Sequence, residues 1–167
     1  MRRILKRREI VEDDWRYAGE DGADEAGSSA LIVSFADFRT HLAKWRAYPG
    51  RLGVRLSPAD AVEDLAEDIQ RFSLVASEFP TPGEGRGYTQ GRLLRSRLQF
   101  KGELRAVGAA VKQDLLFILS RCGFDSFELA PGQKVEEALT ALDRYSVAYQ
   151  PAEPVPSIRQ QRYSAAG

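Results

Sequence analysis

Short apolar runs alternate with stretches of helical period along most of the chain. Ala30-Leu31-Ile32-Val33 is a compact apolar run with β-branched members, which predicts a buried strand. Phe38, Leu42 and Trp45 then recur at i, i+4 and i+7, the stripe of a helix that Asp37 would cap and Pro49-Gly50 would end. Leu52 to Leu56 is a second strand. Ser57-Pro58 offers a capping side chain and a proline suited to the first helical position, ahead of a stripe formed by Val62, Leu65, Ala66 and Ile69. The rhythm continues with a strand over 73–79, a glycine-rich loop from Pro80 to Gly87, and a helix carrying Leu93, Leu94 and Leu98. A strand over 103–107 precedes a helix marked by Val111, Leu115, Ile118 and Leu119, which Gly123 would close in a left-handed cap. A fifth strand over 126–129 leads through Pro131-Gly132 into a helix with Val135, Ala138, Leu139 and Leu142.

Five strand–helix units in succession predict an α/β domain over residues 30–149, built on a mostly parallel sheet with right-handed crossovers. A three-layer sandwich with helices on both faces is the first expectation, and a partial β/α barrel the second, because periodicity does not determine strand order. In either case ligands are expected at the carboxyl ends of the strands. Residues 1–29 read as a charged extension. Arg2, Arg3, Lys6, Arg7 and Arg8 precede an acidic stretch that includes Glu12, Asp13 and Asp14, although Ile4-Leu5 and Ile10-Val11 could pair as a short edge hairpin. Residues 150–167, with Pro151, Pro154 and Pro156, read as a flexible tail.

Composition narrows the function. With 167 residues, 43% hydrophobic and 29% charged, the chain has ordinary globular make-up for one domain. Its formal net charge of +0 gives no global field for nucleic acid. No apolar run approaches the about 18 residues of a membrane-spanning helix, and the basic start lacks the apolar stretch of a secretion signal, so a cytoplasmic protein is expected. One cysteine, Cys122, and one histidine, His41, exclude an internal disulfide, a four-ligand Cys/His zinc site and an iron–sulfur cluster held by the chain's own thiolates. No metal site is expected, and any electrons must sit on a borrowed cofactor, of unknown identity, or on a partner.

Candidate chemistry concentrates after the third of the five strands. Gly83, Gly85 and Gly87 alternate with Glu84 and Arg86 just ahead of a helix starting near Tyr88, where backbone N–H groups would face an anion. Residues 84–112 hold seven cations (Arg86, Arg92, Arg95, Arg97, Lys101, Arg105 and Lys112) against Glu84 and Glu103, a local excess of 7 − 2 = +5. The guanidinium fork suits phosphate, sulfite or an acidic protein surface. Plain turns and a solvated helix face explain the same residues, and the spacing matches neither the dinucleotide fingerprint nor the phosphate-binding loop. Glu78, at a strand end beside this loop, could act as a general base or pair with an arginine. His41 sits at a helix boundary, Cys122 reads as buried packing, and no Ser-His-Asp or Cys-His relay can be assembled, so no catalytic residue is assigned. The acids Asp60, Glu63, Asp64, Glu67 and Asp68 read as a solvent face.

Four separated motifs then occur in order: Phe79-Pro80, Glu84-Gly85-Arg86-Gly87-Tyr88-Thr89, Gly102-Glu103-Leu104-Arg105-Ala106-Val107-Gly108, and Arg121-Cys122-Gly123-Phe124-Asp125. Between about Leu31 and Tyr149 the chain resembles a bacterial domain-of-unknown-function family that carries the label of an oxidoreductase of sulfite reduction. Members of that family are encoded beside the assimilatory sulfite reductase haemoprotein. The chain departs from the family pattern at Glu84, Thr89, Ala109 and Gln113-Asp114, which leaves Arg86, Tyr88, Glu103, Arg105 and Gly108 as the positions for a shared function. The resemblance implies an accessory protein of assimilatory sulfite reduction, oxidoreductase-linked, that binds an oxyanion or cofactor through Glu78, Glu84, Gly85, Arg86, Gly87, Tyr88, Arg105 and Gly108. The alternative it implies is a non-enzymatic module that docks on sulfite reductase or assists its siroheme assembly.

Overall fold

Alternation within each apolar run decides which way its side chains point, and it separates two faces of a single sheet. In the computed structural model, which describes residues 2–19 and 30–143, the strands are β1 (Arg3–Lys6), β2 (Glu9–Glu12), β3 (Trp15–Tyr17), β4 (Ala30–Ser34), β5 (Leu52–Leu56), β6 (Phe72–Glu78), β7 (Glu103–Val107) and β8 (Ser126–Phe127). They form one eight-stranded sheet in the order β2-β1-β8-β7-β6-β5-β4-β3. Strands β3 to β8 run parallel, each beside its neighbour in sequence, while β1 is antiparallel to both β8 and β2.

That order has a geometric consequence. Connections that always step to the next strand with the same hand place their helices on one face, so the sheet curls as part of a barrel. In a flat sheet, β3 and β8 would stand five spacings apart, about 24 Å. Yet the Tyr17 hydroxyl on β3 donates to Glu128 Oε2, just past β8, at 2.8 Å. The two edge strands β2 and β3 are joined by Asp13-Asp14 alone, a link that spans only about 10 Å. The sheet is therefore a curled half-barrel, and the three-layer sandwich expected first is not the arrangement. Eight strands replace the expected five, because residues 3–17 supply three strands of the sheet itself and not a solvated extension. The hairpin is present, with Ile4 opposite Val11 and Leu5 opposite Ile10, but β1 lies inside the sheet, and Ile4 and Leu5 are buried.

The convex face carries the larger core. Leu31, Val33, Val54, Leu56, Val75, Leu104 and Ala106 pack against helices α1 (Phe35–Thr40), α2 (Leu42–Arg46), α3 (Arg86–Ser96), α4 (Leu116–Arg121) and α5 (Val135–Asp143). The other parity of the same strands, Ala30, Ile32, Leu74, Ala76 and Val107, joins Trp15 in a smaller cluster on the concave face. Full burial of side chains such as Phe38 and Trp45 contributes about 2–3 kcal/mol each.

Local details depart from the pattern where polar side chains intervene. The helix expected after β5 is two 3₁₀ turns, Val62–Leu65 and Ile69–Arg71. The Ser57 N–H donates to the Asp60 carboxylate rather than Ser57 acting as a cap, and the buried Asp68 carboxylate accepts from both Arg46 and Arg71. Asp68 therefore leaves the solvent face expected for the acids of this segment. Ser34, not Asp37, caps α1: its Oγ accepts from the Asp37 N–H at 3.1 Å. The helix over Phe38 to Trp45 breaks at His41, whose ψ of 46° leaves the helical region. Gly123 adopts φ +102°, the left-handed cap expected after α4. The tail over 150–167 lies outside the described residues.

Deleting residues 2–17 would open the β8 and β4 edges together and strip the buried charges of β7 of partners. The truncated chain is expected to lose its cooperative urea transition, followed by circular dichroism. A sigmoidal transition at the full-length midpoint would contradict the role given to these strands.

Candidate functional site

Strand register assigns the concave face residue by residue. Ser34, Arg55, Ala76, Arg105 and Ser126 form one row across β4 to β8, and Glu78 pairs in register with Val107 one step nearer the rim. Arg105 lies at the centre of a charge network on this face. Its Nη1 and Nη2 donate to the two carboxylate oxygens of Asp13 at 2.8 and 2.9 Å, and its Nε and Nη2 donate to Glu103 Oε1 at 3.0 and 2.7 Å. Lys6 binds the other Glu103 oxygen at 2.5 Å, and Arg2 bridges Asp13 and Glu128. Three cations thus meet three carboxylates, and the network is neutral. Both side chains of the Arg105–Asp13 pair are 1% exposed.

Burial alone would push the Asp13 and Glu103 carboxyls up. Hydrogen bonds and charge from Arg105, aided by Arg2 at Asp13 and Lys6 at Glu103, outweigh that cost and hold both below the ordinary carboxylate range. Burial first, and then the Glu128 carboxylate, pushes the Tyr17 hydroxyl well above its usual value, so it stays protonated as a donor. Arg105 is therefore committed to the fold. An anion could reach it only by displacing Asp13 or Glu103.

The other expected site residues sort by what they touch. Gly87, Tyr88, Gly108 and Phe124 converge on Phe79. A Cβ on Gly87 would stand 2.5 Å from the Phe79 ring, and one on Gly108 would stand 2.6 Å from the Phe79 carbonyl oxygen, at a φ of +116°. The Phe79 ring meets Tyr88 and Phe124 edge-on, at 5.2 and 5.6 Å between centroids. Burial, with charge from Cys122 and Asp114, raises the Tyr88 hydroxyl. Gly87 and Gly108 thus let α3 and the turn after β7 approach the core. Gly83 and Gly85 face open space.

Arg86 is 69% exposed in its side chain, and its nearest carboxylate is Glu84 at 3.9 Å. Glu84 Oε1 also accepts the Arg86 backbone N–H at 3.1 Å, which satisfies one of the donors at the start of α3. Glu78 is half-buried at the rim and makes no side-chain hydrogen bond among the described residues. Arg86 and Arg105 share no partner: one lies on the outer surface at the start of α3, the other under the concave network.

These quoted motifs fall within a stretch with known kin. Residues 53–157 match the model of a family described as a bacterial protein of unknown function, DUF934, over more than half of the chain. The chain belongs to this family. No curated protein matches it. In this DUF934 chain, no helix of the described residues is long and apolar enough to cross a membrane. No group of three or more His, Cys, Asp or Glu among them could hold a metal ion. Cys122 is buried, as its position in an apolar helix implies. Exposed His41 contacts Asp37 through Nδ1 at 2.9 Å.

Pattern reading passed over Asp13, Tyr17 and Arg55. Arg55 carried a usable signal: in Leu52-Gly53-Val54-Arg55-Leu56, its parity sets it opposite the apolar face.

The network yields a pH prediction. Carboxyls depressed by folding contribute stability that is complete above their ordinary values and lost as pH falls through the depressed ones. The melting temperature is therefore expected to fall on acidification below the ordinary carboxylate range. Asp13→Asn is expected to cost about 3–5 kcal/mol at neutral pH and to flatten that acid limb, as measured by urea denaturation across pH. Separately, Gly108→Ala should destabilise by about 2 kcal/mol or more, through φ strain and the clash with the Phe79 backbone.

Proposed function

We propose that this protein is a cytoplasmic accessory factor of assimilatory sulfite reduction, and that it acts by docking an acidic surface of the sulfite reductase system. The pathway rests on the motif resemblance. The mode of action rests on one observation: the cations of residues 84–112 divide into buried structural groups and exposed ones. Arg105 is sealed in the concave network, and the Arg95 guanidinium donates to the carbonyls of Gly123, Phe100 and Gly102. Arg86, Arg92, Lys101 and Lys112 stay exposed. Exposed, loosely paired cations favour steering and docking over a closed cradle.

Oxyanion binding at the same loop is the second reading. Arg86 would hold the anion, with Gly85 and Gly87 beside it and Glu78 at the rim. The Glu84 carboxylate already accepts the first helical N–H there, which favours docking. Any oxidoreductase-linked role places the electrons on a borrowed cofactor or on a partner, since the chain has a single, buried cysteine. Assistance to siroheme assembly is a variant of the docking reading.

A deletion strain is expected to grow poorly with sulfate as sole sulfur source and normally with cysteine. Complementation by the Arg86→Glu/Arg92→Glu pair should fail, and co-purification with the reductase should weaken as salt rises. Full growth on sulfate without the protein would remove the pathway. Rescue by the double variant would remove the docking surface.

A further inference from the structure

The concave face holds one feature that neither the motifs nor the docking surface uses. At the carboxyl ends of β3, β4 and β5 lies an open hollow of about 380 Å³, lined by Tyr17, Ala18, Gly19, Ile32, Ser34, Asp37 and Arg55. It stands where parallel half-barrel strands present their ligand-facing rim, and its volume is that of a small-molecule site. We propose that this hollow binds a small organic oxyanion (a sulfonate, carboxylate or phosphate ester) through the Arg55 guanidinium.

Arg55 is the reason. Register sets it two strands from Arg105 on the same face, on the opposite side of the small Ala76. Arg105 is saturated by Asp13 and Glu103, and Lys6 and Arg2 also have carboxylate partners. Half-buried Arg55 has none among the described residues. Its guanidinium lies over the Tyr17 ring, 5.3 Å from the centroid, and makes no side-chain hydrogen bond or ion pair among the described residues. A partly desolvated guanidinium with no direct ion-pair partner leaves its donors unmatched, and a ligand anion would accept two parallel hydrogen bonds from it.

The rest of the wall is arranged for the same end. Tyr17 cannot swing away freely, because its hydroxyl is held by Glu128 at 2.8 Å and Arg2 lies 5.1 Å from its ring centroid. The ring thereby fixes the plane on which Arg55 rests. Ser34 Oγ accepts the Asp37 N–H, which leaves its hydroxyl proton for a ligand oxygen. Asp37 also lines the hollow, and its carboxylate oxygens are already engaged, accepting from Trp45 Nε1 at 2.8 Å and contacting His41 Nδ1 at 2.9 Å. The anionic end of a ligand therefore belongs beside Arg55, and an uncharged or donor-bearing end toward Asp37. A bare inorganic anion would use only one end of the space. The inference stands whether or not the sulfite pathway is correct, since it uses neither the Gly/Arg loop nor a partner.

The test is calorimetric titration of the full chain with four probes: cysteate and phosphoserine as organic oxyanions, sulfite and phosphate as inorganic ones. Saturable binding of at least one organic probe is expected, tighter than either inorganic anion. Arg55→Ala should weaken it by about tenfold or more, Arg55→Lys should fall between the two because the charge stays and the fork is lost, and Lys134→Ala, at an exposed cation outside the hollow, should leave it unchanged. Should Arg55→Ala fail to fold by circular dichroism, Arg55→Lys carries the comparison. No saturable binding, binding confined to the inorganic probes, or affinity undiminished at Arg55 would each overturn the assignment.

Discussion

The contact between Arg105 and Asp13 determines how the rest of the molecule is arranged. Asp13 belongs to the two-residue link between the outermost strands, and Arg105 stands in the middle of β7. Their bidentate bond at 2.8 and 2.9 Å draws that link across the concave face, so the sheet must curl. Glu103, Lys6, Arg2, Glu128 and Tyr17 complete the same set of bonds, tying β1, β3, β7 and the end of β8 together. A buried ion network of this kind adds little stability over an apolar filling, because desolvation offsets most of its attraction. What it supplies is geometric: only one curvature and one register satisfy all six charged groups.

This network explains why the concave face can be both buried and polar. Most parallel sheets bury apolar residues on both faces beneath helices. Here the helices of the described residues pack on the convex side, and the concave side is covered by its own curvature and by the N-terminal strands. Across that face, paired charge lies at β7 and the N-terminal strands, the apolar cluster of Trp15, Ile32, Leu74 and Ala76 lies beside it, and Tyr17, Ser34 and Arg55 stand near the carboxyl ends of β3, β4 and β5. The charges at β7 neutralise one another.

Much of this was legible from the pattern of the chain, and the losses have physical causes. Strands β4 to β8 and helices α3 and α5 follow the apolar periodicity closely, since burial on the convex face imposes it. Residues 3–17 read as a charged extension with at most an edge hairpin, because their charges look solvated in one dimension. Arg2, Lys6 and Asp13 become structural only once β7 and β8 lie beside them, and no local signal carries that long-range pairing. The helix after β5 failed for the opposite reason: Val62, Leu65 and Ile69 do turn inward, but Asp60 accepts the Ser57 N–H and Asp68 turns in to accept from the Arg46 and Arg71 guanidiniums. Gly87 and Gly108, both expected at an anion or cofactor site, admit the Phe79 side chain and backbone to close contact.

The motifs quoted from the sequence thus have two separate structural roles. Phe79, Gly87, Tyr88, Gly108 and Phe124 form one packing unit at the convex core, and Glu103 with Arg105 forms the centre of the concave network. A residue set can recur across a family because the fold needs it, without marking where chemistry happens. For this chain, the search for function moves away from the most recognisable residues and toward those the fold leaves uncommitted. Arg86 is uncommitted on the outside, where it can meet a protein surface. On the inner face, among the described residues, Arg55 has no carboxylate partner and stands beside the open hollow.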